Sequence, residues 1–95
     1  MKLSREIKEP SLQVTYLRGR ALAAYYYLPG RTSARSCRTR CVDPGLVIDF
    51  DRKGKPIGIE ITAPSAITEA KFNRLLKELG LAPIQQGELA PLLAA

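Results

Sequence analysis

Leu46-Val-Ile-Asp-Phe-Asp-Arg-Lys-Gly-Lys-Pro-Ile-Gly-Ile-Glu-Ile-Thr62 is the stretch that decides the fold. Leu46, Ile48 and Phe50 alternate with Val47, Asp49 and Asp51, and Ile57, Ile59 and Ile61 alternate with Pro56, Gly58 and Glu60. Strict period-2 alternation marks half-buried antiparallel strands, because successive side chains point to opposite faces. The two apolar rows share a face when the connecting loop holds an even number of residues, either Lys53-Gly54 or Arg52–Lys55. The expected cross-strand pairs are then Leu46 with Ile61, Ile48 with Ile59 and Phe50 with Ile57.

Upstream, Leu12, Val14 and Tyr16 form a first strand, and Leu17–Ala21 carries a turn glycine. The next strand, Leu22–Leu28, is apolar on both sides, which predicts cover on both faces. With Tyr16 opposite Leu22, its Leu22, Ala24, Tyr26 and Leu28 side joins Leu12 and Val14. Tyr25 and Tyr27 then point the other way, toward the C-terminal segment, a second subunit or a ligand. A third strand is expected over Ala34–Val42, followed by a Pro44-Gly45 turn. An even loop there places Cys41 opposite Ile48 and Thr39 opposite Phe50. It also sets Arg40 against Asp49 and Arg38 against Asp51, so both thiols turn inward and opposite charges meet outside. A bulge beside the Pro-Gly turn would shift this register.

After Thr62 the period changes. Thr68 is the expected N-cap of a helix over Glu69–Leu79, with the stripe Phe72, Leu75, Leu76, Leu79 facing the core and Gly80 as its terminal glycine. A second short helix is expected near Glu88–Leu93. The domain plan is an N-terminal segment 1–11, an antiparallel four- to five-stranded β-meander 12–63, a packed helix 64–81 and a tail or short helix 82–95. This is a single α+β domain, since 95 residues do not support two cores.

The 45% hydrophobic and 25% charged composition is that of an ordinary globular protein, expected in the cytoplasm with no membrane association. With two cysteines and no histidine, neither a four-ligand zinc site nor a histidine-based triad is accessible. No cofactor is expected. The net charge is +6, and no acidic residue lies between Glu9 and Asp43. Arg18, Arg20, Arg31 and Arg35, interleaved with Tyr25 and Tyr27, are therefore the candidate nucleic-acid contacts. Asp49, Asp51 and Glu60 are the candidate metal or acid/base cluster, set against neutralisation by Arg38 and Arg40. Tyr25, Tyr27, Leu89 and Leu92 are the candidate interface.

The segments Val14-Thr-Tyr16, Ala21–Tyr27 and Val47–Ile61, above all the hairpin Val47-Ile-Asp-Phe-Asp51 … Gly58-Ile-Glu-Ile61, resemble a family of short bacterial and archaeal proteins. The family is domain of unknown function twenty-two eighty-three. The likeness covers roughly residues 12–63 and implies the same strands and closing hairpin. It brings no established activity and no catalytic residues. At the first turn this chain has Leu17-Arg-Gly-Arg20 where the family often has an acidic segment, which makes that end basic. The leading expectation is a non-enzymatic, homodimeric protein-interaction module. The alternatives are a small basic nucleic-acid-binding or toxin-neutralising regulator, and a metal-dependent enzyme.

Overall fold

The computed structural model describes residues 10–28, 36–84 and 87–93, with the side chain of Leu93 left aside. Five antiparallel strands form one sheet: β1 (Ser11–Leu17), β2 (Arg20–Tyr27), β3 (Arg38–Asp43), β4 (Leu46–Phe50) and β5 (Pro56–Ile61). A 3-10 turn (Pro64–Ala66), helix α1 (Glu69–Glu78) and a one-turn helix α2 (Ala90–Leu93) follow. The α+β class and the C-terminal helix are as the sequence predicts. The strand order is β1-β2-β5-β4-β3, so the sheet is not a sequential meander: β5 pairs with both β2 and β4. Burial explains the order. The most buried strands, β4 and β5, take the interior together with β2, and β3, exposed over Arg38–Cys41, takes an edge. A short, charged edge strand also resists pairing with foreign strands.

In the deciding hairpin Leu46 lies opposite Ile61 and Ile48 opposite Ile59, as expected. Phe50 meets Pro56 instead of Ile57, because the register shifts after Asp49. The loop Asp51–Lys55 is closed by bonds from the Asp51 amide to the Lys55 carbonyl (2.9 Å) and from the Gly54 amide to the Asp51 carbonyl (3.0 Å). Its odd length requires that shift, since without it every isoleucine of β5 would turn to the other face.

The β1–β2 hairpin turns at Arg18 and Gly19, both with positive φ (52° and 79°), the type I′ geometry whose twist suits a two-residue hairpin. Leu12 faces Tyr26 and Val14 faces Ala24. A bulge then sets Tyr16 opposite Ala21, so Leu22 is thrown out of the ladder and stands 54% exposed. The expected Tyr16–Leu22 pair does not form.

The third expectation fails in parity. Arg38 faces Phe50, Thr39 faces Asp49, Arg40 faces Ile48 and Cys41 faces Val47, with a bulge at Val42 before Asp43 meets Leu46. Cys41 is therefore on the side that carries Asp49, and both Cys37 and Cys41 are exposed. Arg38 and Arg40 share a face with Ile48. Pro44-Gly45 is a tight turn with Gly45 at φ 85°, the value that the third residue of a type II turn needs. Such a turn twists against the strands, and the extra residue at Val42 absorbs the mismatch.

One face of the sheet holds the core: Ala24, Tyr26, Leu28, Leu46, Ile48, Ile59 and Ile61. Helix α1 lies on it through Phe72, Leu75 and Leu76, with the Phe72 ring edge-on to Tyr26 at 5.0 Å. Thr68 caps α1, its Oγ1 accepting from the Lys71 amide at 3.2 Å. At the other end the Leu81 amide reaches the Leu76 carbonyl (2.8 Å) and the Gly80 amide reaches Lys77 (3.0 Å), a Schellman ending with Gly80 at φ 76°. The segment after α1 doubles back: the Ile84 amide donates to Asn73 Oδ1 at 2.9 Å, and Ile84, Leu89 and Leu92 join the core.

Candidate functional site: the open sheet face

The other face of the sheet carries the alternate residues. Pairing places Tyr25 opposite Glu60, Tyr27 opposite Gly58, and Gly58 opposite Asp49. Tyr25 and Tyr27 lie ring to ring at 4.7 Å, tilted by 60°. The Tyr27 hydroxyl donates to Gln13 Oε1 of the edge strand at 3.0 Å. The Tyr25 ring passes over β5 at Gly58 and its hydroxyl donates to Asp49 Oδ2 on β4 at 2.6 Å. A Cβ at position 58 would overlap the Tyr25 hydroxyl and ring. Glycine there thus marks a close approach, here by an aromatic ring rather than by backbone.

That bond gives Asp49 its partner. Asp49 is 8% exposed, and a buried carboxylate needs a partner. The partner is Tyr25 and not an arginine. Burial first, then the hydrogen bond to Asp49 and its charge, hold the Tyr25 phenol above its ordinary range. Asp51 sits in the β4–β5 loop, its Oδ1 accepting the Lys53 and Lys55 amides at 2.9 Å each. Glu60 is exposed on the open face. Asp49, Asp51 and Glu60 thus have three separate settings, and no three metal-ligating residues converge among the described residues.

The expected neutralisation by Arg38 and Arg40 is corrected. Their guanidinium carbons stand 5.5 and 5.8 Å from the centre of the Phe50 ring, on the helix side of the sheet. Arg18 and Arg20 are exposed at the β1–β2 turn, and Arg20 shares the mouth of a cavity of about 530 Å³ with Leu17 and Leu22, floored by Ile67 and Leu92. Arg31 and Arg35 fall outside the described residues. Of the interface candidates, Tyr25 and Tyr27 lie on the open face, whereas Leu89 and Leu92 are buried in the core of the same chain. Sequence reasoning found Asp49, Tyr25 and Gly58 separately and missed that they form one unit. The signal was a glycine inside a strand beside a carboxylate, one strand away from a tyrosine. Among the described residues, no helix is long and apolar enough to cross a membrane.

No curated protein and no solved structure matches the chain. The unit of Tyr25, Gly58 and Asp49 falls wholly within one matched segment: residues 23–64 fit the model of the family described as protein of unknown function (DUF2283), the family that the hairpin resembles.

Proposed function

We propose that this chain is a non-enzymatic interaction module that pairs with a second copy through its open sheet face. The observation that carries it is the tyrosine pair. Both rings are held in place, Tyr25 by Asp49 and Tyr27 by Gln13, and both are only half-buried, with no described helix on that side. Tyrosine presents a large contact area with two rotatable bonds, so rings fixed before association lose little entropy on binding. Val47, half-buried on the same face, adds an apolar neighbour.

A five-stranded face at about 4.8 Å per strand gap and about 3.3 Å per residue is roughly 400 Å² in plan, smaller than the ~800 Å² per partner of a standard interface. Association is therefore weak, and the test is run at high micromolar concentration. Sedimentation equilibrium should show a dimer that Tyr27→Glu converts to a folded monomer. A parent protein that stays monomeric at several hundred micromolar overturns the reading.

A further inference from the structure

The register of β3 releases Arg38 and Arg40 from the carboxylates and sets them on the opposite side of the sheet, at its edge. We infer that this edge binds the phosphate backbone of single-stranded nucleic acid, along a line from the β4–β5 loop through Arg38 to Arg40. The site differs from the tyrosine face in both location and chemistry.

Three observations build the line. First, Arg38 and Arg40 are alternate residues of an exposed edge strand, so their side chains leave the same face about 6.6 Å apart. Both guanidinium groups lie within 6 Å of the same Phe50 ring, which holds two otherwise mobile side chains toward one region. Second, the Arg38 Nη2 lies 3.6 Å from the position a Cβ would take on Gly54, so the arginine reaches the loop that carries exposed Arg52 and Lys53. Third, neither nearby carboxylate is paired with these arginines. Asp49 faces the other side beneath Tyr25, and one oxygen of Asp51 takes two loop amides. Beyond Arg40, Lys71 and Arg74 of α1 share a hollow with Asp43 and Glu78, so charge is balanced there and the line ends.

Cations ordered along one strand match one phosphate chain. Guanidinium groups held by a ring lose less freedom on capturing a phosphate than unrestrained ones do. With Phe50 already covered by arginine, little aromatic surface is left for base stacking on this side, so recognition is through phosphates and independent of sequence. One line of cations follows a single phosphate chain and offers no contacts to the second strand of a duplex, so the single strand is the partner argued for.

The test is fluorescence anisotropy with a labelled mixed-sequence DNA 15-mer, single-stranded and as a duplex, at 50 and 200 mM salt. Contact with about four phosphates on a single strand predicts a slope of log affinity against log salt near −3, hence about a fifty-fold loss between the two salts. Arg38→Ala/Arg40→Ala should weaken binding and flatten the slope by about 1.4. Arg52→Glu/Lys53→Glu, confined to an exposed loop, should weaken it independently of any effect on the strand. Arg18→Ala/Arg20→Ala, at the β1–β2 turn, should leave it unchanged. Absent binding at 50 mM salt, tighter binding of duplex than of single strand, or equal losses from the β1–β2 turn variant each overturn the inference. Because none of these variants lies on the tyrosine face, the sedimentation result is unaffected by them.

Discussion

Gly58→Ala should be among the most damaging single-methyl changes in this protein. The added carbon would approach the Tyr25 hydroxyl and ring closer than the 3.0 Å that real Cβ atoms keep. Overpacking of a filled site costs about 1–3 kcal/mol. If the ring swings aside instead, the bond to the Asp49 carboxylate is lost, worth about 1.5–3 kcal/mol for a charged partner. Alanine in place of a strand glycine returns about 0.5–1 kcal/mol through the unfolded chain. The net loss is about 0.5–2.5 kcal/mol by either route, against a total stability of about 5–14 kcal/mol for a domain of this size. Urea unfolding followed by far-ultraviolet circular dichroism should resolve it, with Tm lower by about 2–20 °C in a thermal melt. A double-mutant cycle isolates the cause: in a Tyr25→Ala background the same Gly58→Ala change should be nearly neutral. A Gly58→Ala protein at least as stable as the parent, or equal effects in both backgrounds, refutes the account of the ring over β5.

Stability should also fall at alkaline pH. The Tyr25 phenol is held above its ordinary value, and burial aided by the Glu88 charge pushes Tyr26 up to about 12. Their contribution is therefore complete below about pH 10, where unfolded tyrosine titrates, and is lost as pH rises toward the folded values. Urea midpoints taken from pH 8 to 11.5 should be level and then decline, and less steeply in Tyr25→Phe. Thr68→Ala should cost about 1 kcal/mol by removing the cap of α1, read in the same unfolding assay. Arg18→Asn should instead stabilise by about 0.5–1 kcal/mol, since asparagine tolerates the positive φ of that turn better than arginine does. Cys37 and Cys41 should both react with a thiol reagent in the native protein, at rates that mild urea does not raise.

Where two faces differ strongly in burial, the sequence was legible. Leu46, Ile48, Ile59 and Ile61 could face only one way, and the stripe of α1 with Thr68 before it and Gly80 after it fixed the helix to within a residue. Where burial does not discriminate, the pattern is silent. On β3 both faces are exposed over Arg38–Cys41, so neither parity carries a desolvation cost. The Arg–Asp pairing that favoured the other register is worth at most about 1 kcal/mol for exposed pairs, less than a bulge can override. Strand order escaped for a similar reason: alternation says which residues face inward and nothing about which neighbour they meet. The contact at Gly58 was not readable, because its occupant, Tyr25, lies on a strand distant in sequence. The tail was ambiguous until the Asn73 side chain took the Ile84 amide, a contact with no periodic signature.

The position of β5 has a consequence for how the chain assembles. The β1–β2 and β3–β4 ribbons each close locally, but only the last strand to be synthesised joins them, through partners as distant as Ala24 and Ile61. During translation the first two ribbons wait as separate halves until Pro56–Ile61 has left the ribosome. A nascent chain stalled before that point should be protease-sensitive throughout, and one stalled a few residues after it should gain protection in a single step.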